Sequence, residues 1–272
     1  MKSEQHAFSE ETRTRATILA LHGFTGSPVD FEPLFDRVGV AVRWRFSILP
    51  GHVPGGEPGG VSMELAWERF DRSLCESFEE TCFGGGPVLI LAYSMGARML
   101  LEWFRRRPEI KPDGILLISG NPGIFDEAER DERAQSDEAL AQRILADGVE
   151  SFVSSWMDQP LIRTQNTGDL FAEARKARKL RLDAASLASS LHAFGQGRLE
   201  PGWTLIRDLE CPVWLVTGEH DPKYRELARR MEGMLAYGRW VDTPDAGHAP
   251  HLENPDAFAV HLNAFIEHVI NT

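Results

Sequence analysis

The sequence lacks a long hydrophobic segment, has few cysteines and carries fewer basic than acidic residues. No apolar run approaches the ~18 residues that a membrane-spanning helix needs. The first residues also lack the apolar centre of a signal peptide, so we expect a cytoplasmic protein with no membrane partner. The three cysteines, Cys75, Cys82 and Cys211, are odd in number and show no metal-ligand spacing, which favours reduced thiols.

The charge balance excludes another class of protein. The chain has 29 Lys and Arg residues against 41 Asp and Glu residues, which gives a formal net charge of −12. Binding to nucleic acid without sequence preference needs a basic face, so we expect no nucleic-acid partner. An anionic ligand would have to be bound by locally placed arginines, working against the overall field.

The apolar runs that are present predict an α/β fold. Short buried strands alternate with segments of helical periodicity, which predicts a mostly parallel sheet flanked by helices, with right-handed crossovers. The predicted strands cover 16–21, 40–49, 88–92, 114–119, 211–217 and 239–243. The predicted helices around them cover 28–38, 62–80, 94–107, 224–234 and 256–270.

One long segment departs from this alternation. Between residues 120 and 201 the charge rises, helical periodicity dominates and no strong strand run occurs. At 272 residues the chain can form one large domain or a domain with an insertion. We therefore predict a core in two parts, 1–120 and 202–272, with a helical cap inserted over 121–201.

The stretch Ala92-Tyr93-Ser94-Met95-Gly96 joins a buried strand to a helix. A serine at such a sharp turn has its hydroxyl exposed above the sheet edge, which is the arrangement called a nucleophile elbow, normally G-x-S-x-G. Ala92 replaces the first glycine, and alanine fits there if the strand needs no positive φ. The pattern predicts Ser94 as a nucleophile or base.

A second motif, His22-Gly23-Phe24-Thr25-Gly26-Ser27, follows the first predicted strand. In folds with this elbow, the loop after that strand supplies one backbone N–H of the oxyanion hole, the pair of donors that stabilises a negatively charged oxygen. The predicted donors are the amides of Phe24 and Met95.

Two further residues complete a catalytic triad with Ser94. Asp221 and His248 each follow a predicted strand, and the chain order serine, acid, histidine is typical of this fold. A serine hydroxyl needs an adjacent imidazole to react at neutral pH, and that imidazole needs an anion to hold its tautomer. The carboxyl ends of parallel strands meet at one sheet edge, so we expect the three side chains to lie together.

Other assignments compete for these roles. Asp245 is an alternative acid, just before the His248 loop. His22 and His52 end strands without a matching acid, which favours a role in loop shape. His251 favours a structural role, and a metal site at His248 and His251 lacks a third ligand, so we predict no metal.

Arginines near the elbow have two interpretations. Arg98 lies four residues after Ser94, so both share one helix face about one turn apart, and Arg98 can reach a ligand over the serine. Arg105, Arg106 and Arg107 lie in the last turn, where cations complement the helix dipole, and we interpret them as structural.

Several longer segments extend the pattern: Y-S-M-G-A-R, S-G-N-P-G-I, E-R-D-E-R-A-Q-S-D, F-V-S-S-W-M-D-Q-P-L, G-E-H-D-P-K-Y and G-H-A-P-H-L-E-N-P. Together they resemble the 2-succinyl-6-hydroxy-2,4-cyclohexadiene-1-carboxylate synthase (MenH) family of the α/β-hydrolase fold. The resemblance covers nearly the whole chain, and its cap segments are specific because general hydrolases do not share them. The departures are Ala92 and Ala97, where the family usually has glycine, and V-P-G-G-E-P after L-P-G-H.

The resemblance implies a lyase of menaquinone biosynthesis, which eliminates pyruvate by proton abstraction and uses no cofactor. The substrate is a small-molecule polycarboxylate, and guanidinium groups bind carboxylates bidentately. By family match, Arg98 and Arg133 are the anion-binding residues, and Tyr93 and Trp156 shape the pocket. A third arginine is expected in the run from Arg175 to Arg181, and Arg178 is the candidate; a solvated helix face is the other interpretation of that run.

Two rival functions remain open. An α/β-hydrolase with the same triad would cleave carboxylic esters or C–C bonds through an acyl-serine. A non-catalytic relative would only bind its ligand, although the intact triad argues against it. The expected assembly is a monomer or a small homo-oligomer.

Overall fold

A parallel sheet lies at the centre of the molecule. The structure, a computed structural model, describes residues 15–56, 62–82, 86–165 and 171–272. Within these residues the sheet has six strands in the order β2-β1-β3-β4-β5-β6, and every neighbouring pair is parallel. The strands are β1 Ala16–Leu21, β2 Val42–Ser47, β3 Val88–Tyr93, β4 Gly114–Ile118, β5 Val213–Gly218 and β6 Gly238–Thr243. This is the mostly parallel sheet that the alternation of strands and helices predicts, and it agrees with the α/β-hydrolase fold that the resemblance implies.

The helices cover both faces of the sheet. They are α1 Met63–Cys82, α2 Met95–Arg106, α3 Glu127–Met157, α4 Ala172–Lys179, α5 Ala184–Phe194, α6 Trp203–Arg207, α7 Pro222–Glu232, α8 Pro250–Glu253 and α9 Pro255–Ile270. Two 3₁₀ helices span Pro28–Arg37 and Arg163–Gln165. Among the described residues, no helix combines the length and apolar character that crossing a bilayer requires.

The core consists of two apolar layers, one on each face of the sheet. Because successive strand residues point to opposite faces, Ile90 and Leu215 pack in one layer while Leu91 and Val216 pack in the other. Strands β1, β3, β4 and β5 are buried along their whole length, which explains their continuous apolar sequences. The edge strands β2 and β6 are only partly buried.

The segment between β4 and β5 is helical in its described part. Helix α3 is kinked at Gly148, which has φ 77°, and it packs with α5 in a third apolar cluster that includes Ile144, Phe152 and Leu187. This cluster is separate from the two layers on the sheet. The cap over 121–201 stays a prediction.

The predicted helix over 28–38 has an unusual geometry. Pro28–Arg37 is a 3₁₀ helix rather than an α-helix. Pro33 lies inside it and has no N–H to donate to the preceding turn, so the regular α-helical ladder is interrupted there. The prediction of a helix at this place is confirmed, and the sequence did not specify its type.

Candidate active site

Ser94 lies at the turn between β3 and α2, where the chain leaves the carboxyl end of the sheet. Its backbone has φ 50° and ψ −107°, a region that non-glycine residues rarely adopt, and such strain is typical of functional sites. The turn is tight, because a Cβ at Gly96 would lie 2.6 Å from the carbonyl oxygens of Leu21 and His22. Ala92 is still within β3, opposite Leu21, so its extended backbone accepts a methyl group.

The structure brings the three predicted triad residues together. The Ser94 hydroxyl lies 3.0 Å from Nε2 of His248, and Nδ1 of His248 lies 2.8 Å from Oδ2 of Asp221. The carboxylate accepts a hydrogen bond from Nδ1–H, which leaves Nε2 without a proton and able to accept that of the Ser94 hydroxyl. His248 and Asp221 are both buried, and Oδ1 of Asp221 also accepts the N–H of Tyr224 at 3.3 Å.

Asp245 does not serve as the acid. It is exposed and its N–H donates to Oε2 of Glu219 at 3.2 Å, while Asp221 occupies the position beside His248. The alternative assignment of Asp245 is therefore wrong. Asp221 is better placed because it directly precedes α7 and is held by the first turn of that helix.

Phe24 and Met95, whose amides are the predicted oxyanion-hole donors, lie beside Ser94, in the loop after β1 and at the start of α2. Both residues line the cavity above the serine. Among the described residues, neither N–H has a hydrogen-bond acceptor. Two unpaired donors beside a catalytic hydroxyl are the arrangement that an oxyanion hole requires.

The cavity above Ser94 contains about 800 Å³ of empty space, part of which opens to solvent. Its basic lining residues are Arg98, Arg133 and Lys179, and its aromatic lining residues are Phe24, Tyr93, Trp156 and Tyr224. The structure thus brings Tyr93, Arg98, Arg133 and Trp156 to one cavity, as their predicted roles require. Trp156 packs edge to face against Phe24, with ring centroids 5.3 Å apart.

The two predicted arginines differ in their surroundings. Arg98 is half-buried, and its Nε has no hydrogen-bond partner among the described residues. Burial lowers the pKa of its guanidinium, and the charge of Arg133 adds to this effect. Arg133 donates to Oδ1 of Asp137 and to Oε1 of Gln196, each at 2.8 Å. Asp137 therefore fixes the position of the Arg133 guanidinium, whereas Nε of Arg98 can donate to an anion.

The third cation is Lys179 rather than Arg178. Arg178 is the predicted residue, but it is not among the residues that line the cavity; its neighbour Lys179 is. Lys179 is the last residue of α4, and its Nζ donates to the carbonyl oxygen of Thr25, beside the oxyanion hole, at 3.1 Å. Burial lowers the pKa of Lys179, and the charge of Asp30 opposes this effect.

Tyr93 is held from two sides. Its hydroxyl accepts a hydrogen bond from Nε2 of Gln165 at 3.1 Å, and its ring lies 4.6 Å from that of His251. A Cβ at Gly23 would lie 2.7 Å from the Tyr93 ring, so the oxyanion loop approaches it closely. Gln165 also lines the cavity, and no sequence motif pointed to it.

His22, His52 and His251 contact neighbouring loops or the core. His22 donates to the carbonyl oxygen of Gly23 at 2.8 Å and accepts the N–H of Leu49 at 3.2 Å, which joins the loops after β1 and β2. His52 donates to the carbonyl oxygen of Pro50 at 3.0 Å. His251 is fully buried against Phe31.

The arginines at the end of α2 make structural ion pairs. Arg105 and Arg106 donate to the carboxylate of Glu102 at 3.1 and 2.7 Å. Arg107 donates to Oδ1 of Asp71 at 3.0 Å. These pairs are consistent with the structural interpretation of this trio.

Comparison with known proteins agrees with this geometry. A family model described as "Alpha/beta hydrolase family" matches residues 18–261. A putative 2-succinyl-6-hydroxy-2,4-cyclohexadiene-1-carboxylate synthase of Bacillus subtilis is 30% identical over 256 residues, covering 92% of this chain and 89% of that protein. The synthase of Enterobacter sp. is 27% identical, covering 90% of this chain and 89% of its own length.

Two other comparisons bear on length and fold. Protein PHYLLO of Arabidopsis thaliana is 28% identical over 96% of this chain, but the chain spans only 16% of that protein. The solved structure of MenH from S. aureus matches with a TM-score of 0.83 at 22% identity, over 96% of this chain and 97% of the other. At that identity the likeness concerns the fold.

Proposed function

Because the chain belongs to the alpha/beta hydrolase family and, within it, to the family of 2-succinyl-6-hydroxy-2,4-cyclohexadiene-1-carboxylate synthases, we propose that it catalyses that synthase reaction of menaquinone biosynthesis. The enzyme is a lyase that eliminates pyruvate from a cyclohexene polycarboxylate. The observation that carries the proposal is the set of three cations, Arg98, Arg133 and Lys179, around the cavity above the triad. An esterase acting on neutral substrates has no use for such a lining.

The triad acts as a base in this reaction. Ser94 Oγ takes the ring C–H proton of the substrate while its own proton passes to Nε2 of His248, which Asp221 holds in the correct tautomer. The released electron pair forms a ring double bond and expels the enolpyruvyl group, which leaves as enolpyruvate and becomes pyruvate. General base catalysis of this type contributes roughly 10²–10⁴-fold.

The backbone and the cations stabilise charge in this scheme. As the proton leaves, negative charge moves to an oxygen of the substrate, where the Phe24 and Met95 amides donate hydrogen bonds. Arg98 and Arg133 bind carboxylates as planar forks, and Lys179 adds a point charge. They attract a polyanion locally, although the whole chain has a net charge of −12.

The test is a coupled assay that follows pyruvate release from the synthase's own substrate, run beside hydrolysis of a short-chain p-nitrophenyl ester. We expect pyruvate release and little ester hydrolysis. Ser94→Ala is expected to lose about 10³-fold or more in turnover. Brisk ester hydrolysis without pyruvate release would favour the acyl-serine hydrolase, and a Ser94→Ala variant with parent-like turnover would remove the serine from the mechanism.

The proposal also includes a cytoplasmic location and a monomer or small homo-oligomer. Cys75 and Cys211 are free thiols, which a reducing compartment preserves. Size-exclusion chromatography with light scattering checks the assembly state, and fractionation of cells checks the location.

A further inference from the structure

Tyr224 lies where the triad meets the cation-lined part of the cavity. It is in the first turn of α7, and its backbone N–H donates to Oδ1 of Asp221 at 3.3 Å. Its ring packs against the imidazole of His248, with ring centroids 4.3 Å apart and planes at 55°. The residue therefore contacts both partners that prepare Ser94 for proton abstraction.

The hydroxyl of Tyr224 has a different environment from its ring. The residue is only 6% exposed, yet it lines the cavity above Ser94. Among the described residues, its hydroxyl has no hydrogen-bond partner. The hydroxyl is not one of the fully enclosed polar atoms that lack a partner, so it is accessible from the cavity, where a ligand or water can accept its hydrogen bond.

Two guanidinium groups share the cavity with this hydroxyl, and their charges act on it. Burial raises the pKa of the Tyr224 phenol, and the charges of Arg98 and Arg133 act in the opposite direction. The same three residues line one cavity, so the phenol lies within the field of both arginines. A phenol that keeps its proton near neutral pH is a hydrogen-bond donor toward an anion.

We propose that Tyr224 is a further substrate-binding residue, whose hydroxyl donates a hydrogen bond to the carboxylate that Arg98 and Arg133 hold. Its ring at the same time positions the His248 imidazole. The inference rests on the proposed function, since it requires a carboxylate substrate in this cavity. In this scheme the Tyr224 hydroxyl is a neutral hydrogen-bond donor beside the two arginines, and the Tyr224 ring contacts His248.

Tyr93 has a different environment. Its hydroxyl accepts a hydrogen bond from Gln165 and keeps its own proton to donate. Burial raises the pKa of this phenol, and the charges of Glu253 and Asp30 add to the effect. Among charged groups, Glu253 acts most strongly on the pKa of Tyr93, whereas Arg98 acts most strongly on that of Tyr224. The two tyrosines contact His248 from different positions, with ring centroids 5.5 and 4.3 Å away.

The experiment measures the contribution of the Tyr224 hydroxyl separately from that of its ring. Calorimetric titration with succinate, a dicarboxylate that carries no reacting group, measures anion binding without turnover. Tyr224→Phe removes only the hydroxyl and is expected to weaken succinate binding about 10-fold, the loss typical of one hydrogen bond to a charged group. Tyr237→Phe is the matched control, because Tyr237 is 63% exposed and outside the cavity; it is expected to bind like the parent.

Turnover gives a second readout. In Tyr224→Phe, KM for pyruvate release is expected to rise about 10-fold with kcat and its pH profile unchanged, since the ring still holds His248. Tyr224→Leu also removes the ring and is expected to lower kcat and displace its pH profile. A merely structural role would give both variants the same pattern.

A double-mutant cycle identifies the shared anion. If Tyr224 and Arg98 bind one carboxylate, Tyr224→Phe has a smaller effect on succinate affinity in an Arg98→Met background than in the parent. Full additivity, or parent-like succinate affinity in Tyr224→Phe, would overturn the inference. Failure of the proposed function is distinct from this, because it shows as absent pyruvate release by the unmodified enzyme.

Discussion

At the scale of single residues, the two acids near His248 give the sharpest test of the site. Asp221→Asn keeps the shape of the side chain but no longer holds Nδ1 of His248 as the donor, so the imidazole presents the wrong tautomer to Ser94. We expect kcat for pyruvate release to fall by about 10⁴-fold. Steady-state kinetics at neutral pH measures the effect.

Asp245→Asn is the matched control for this change. Asp245 is exposed and has φ 51°, a conformation that asparagine also adopts readily. Its kcat is expected to stay close to that of the parent. Equal losses in both variants would mean that the carboxylate beside His248 is not the orienting group.

Lys179 gives a second prediction at this scale. Lys179→Met removes a cation from the cavity and the hydrogen bond to Thr25, and we expect KM to rise about 10-fold. Lys176→Met is the control, since Lys176 is exposed on the same helix and does not line the cavity above Ser94. Lys179→Arg should stay closer to the parent. An unchanged KM in Lys179→Met would exclude the lysine from substrate binding.

The sequence could predict the triad but not every cavity residue, for a physical reason. Ser94, Asp221 and His248 each follow a strand, and parallel strands deliver such residues to one edge whatever the helices do. Lys179 and Arg178 are neighbours on one short helix, and which of them faces the cavity depends on how that helix packs over the core. Tyr224 ends the segment G-E-H-D-P-K-Y, but the segment does not indicate a role for it, because that role depends on the ring of His248.

At the scale of elements, the turn into α2 is the most constrained junction. A Cβ at Gly96 would lie 2.6 Å from two carbonyl oxygens of the neighbouring strand and loop, so backbone would have to move. Gly96→Ala is expected to destabilise the fold by about 1–3 kcal/mol, as overpacking usually does. Urea unfolding followed by circular dichroism measures this.

Gly233→Ala is the control for that substitution. The nearest atoms to a Cβ there are 3.7 and 3.8 Å away, and the backbone has φ −65°, so alanine fits without strain. Its effect is expected to lie within about 0.5 kcal/mol of the parent or to be slightly stabilising. If Gly96→Ala is equally mild, the elbow is less tightly packed than the structure indicates.

Strands were more predictable than helix types. The four buried central strands carry continuous apolar runs, whereas the predicted edge strand 40–49 is shortened to Val42–Ser47, where pairing with β1 ends. The 3₁₀ geometry of Pro28–Arg37 reflects Pro33 inside the segment. Apolar periodicity alone does not separate the two helix types.

At the scale of the whole molecule, buried histidines make stability depend on pH. Burial lowers the pKa of His22 to about 4, and that of His52 and His251 to about 3. In the unfolded chain these groups bind protons below about pH 6.5, so the unfolded state gains protons first as pH falls. The free energy of unfolding therefore decreases as pH falls below about 6.5, by about 1.4 kcal/mol per pH unit for each histidine. The decrease ends near pH 4 for His22 and near pH 3 for His52 and His251.

His251 isolates one of these contributions. Its ring is fully buried among Phe31, Tyr93 and Phe258, and neither ring nitrogen has a hydrogen-bond partner among the described residues. A phenylalanine can therefore replace it without leaving a polar group unsatisfied, and His251→Leu serves as a smaller alternative. The replacement removes one group that must be kept neutral in the folded protein.

We expect the pH slope of unfolding free energy in His251→Phe to be smaller than that of the parent by about one proton between pH 6 and 4.5. Carboxylates such as Asp30, whose pKa burial raises, titrate in parent and variant alike and cancel in the difference. Urea unfolding across this range measures both slopes, with pH 8 as the reference where a neutral histidine adds no proton linkage. Parallel slopes would show that residue 251 accepts a proton in the folded state, which its apolar enclosure opposes.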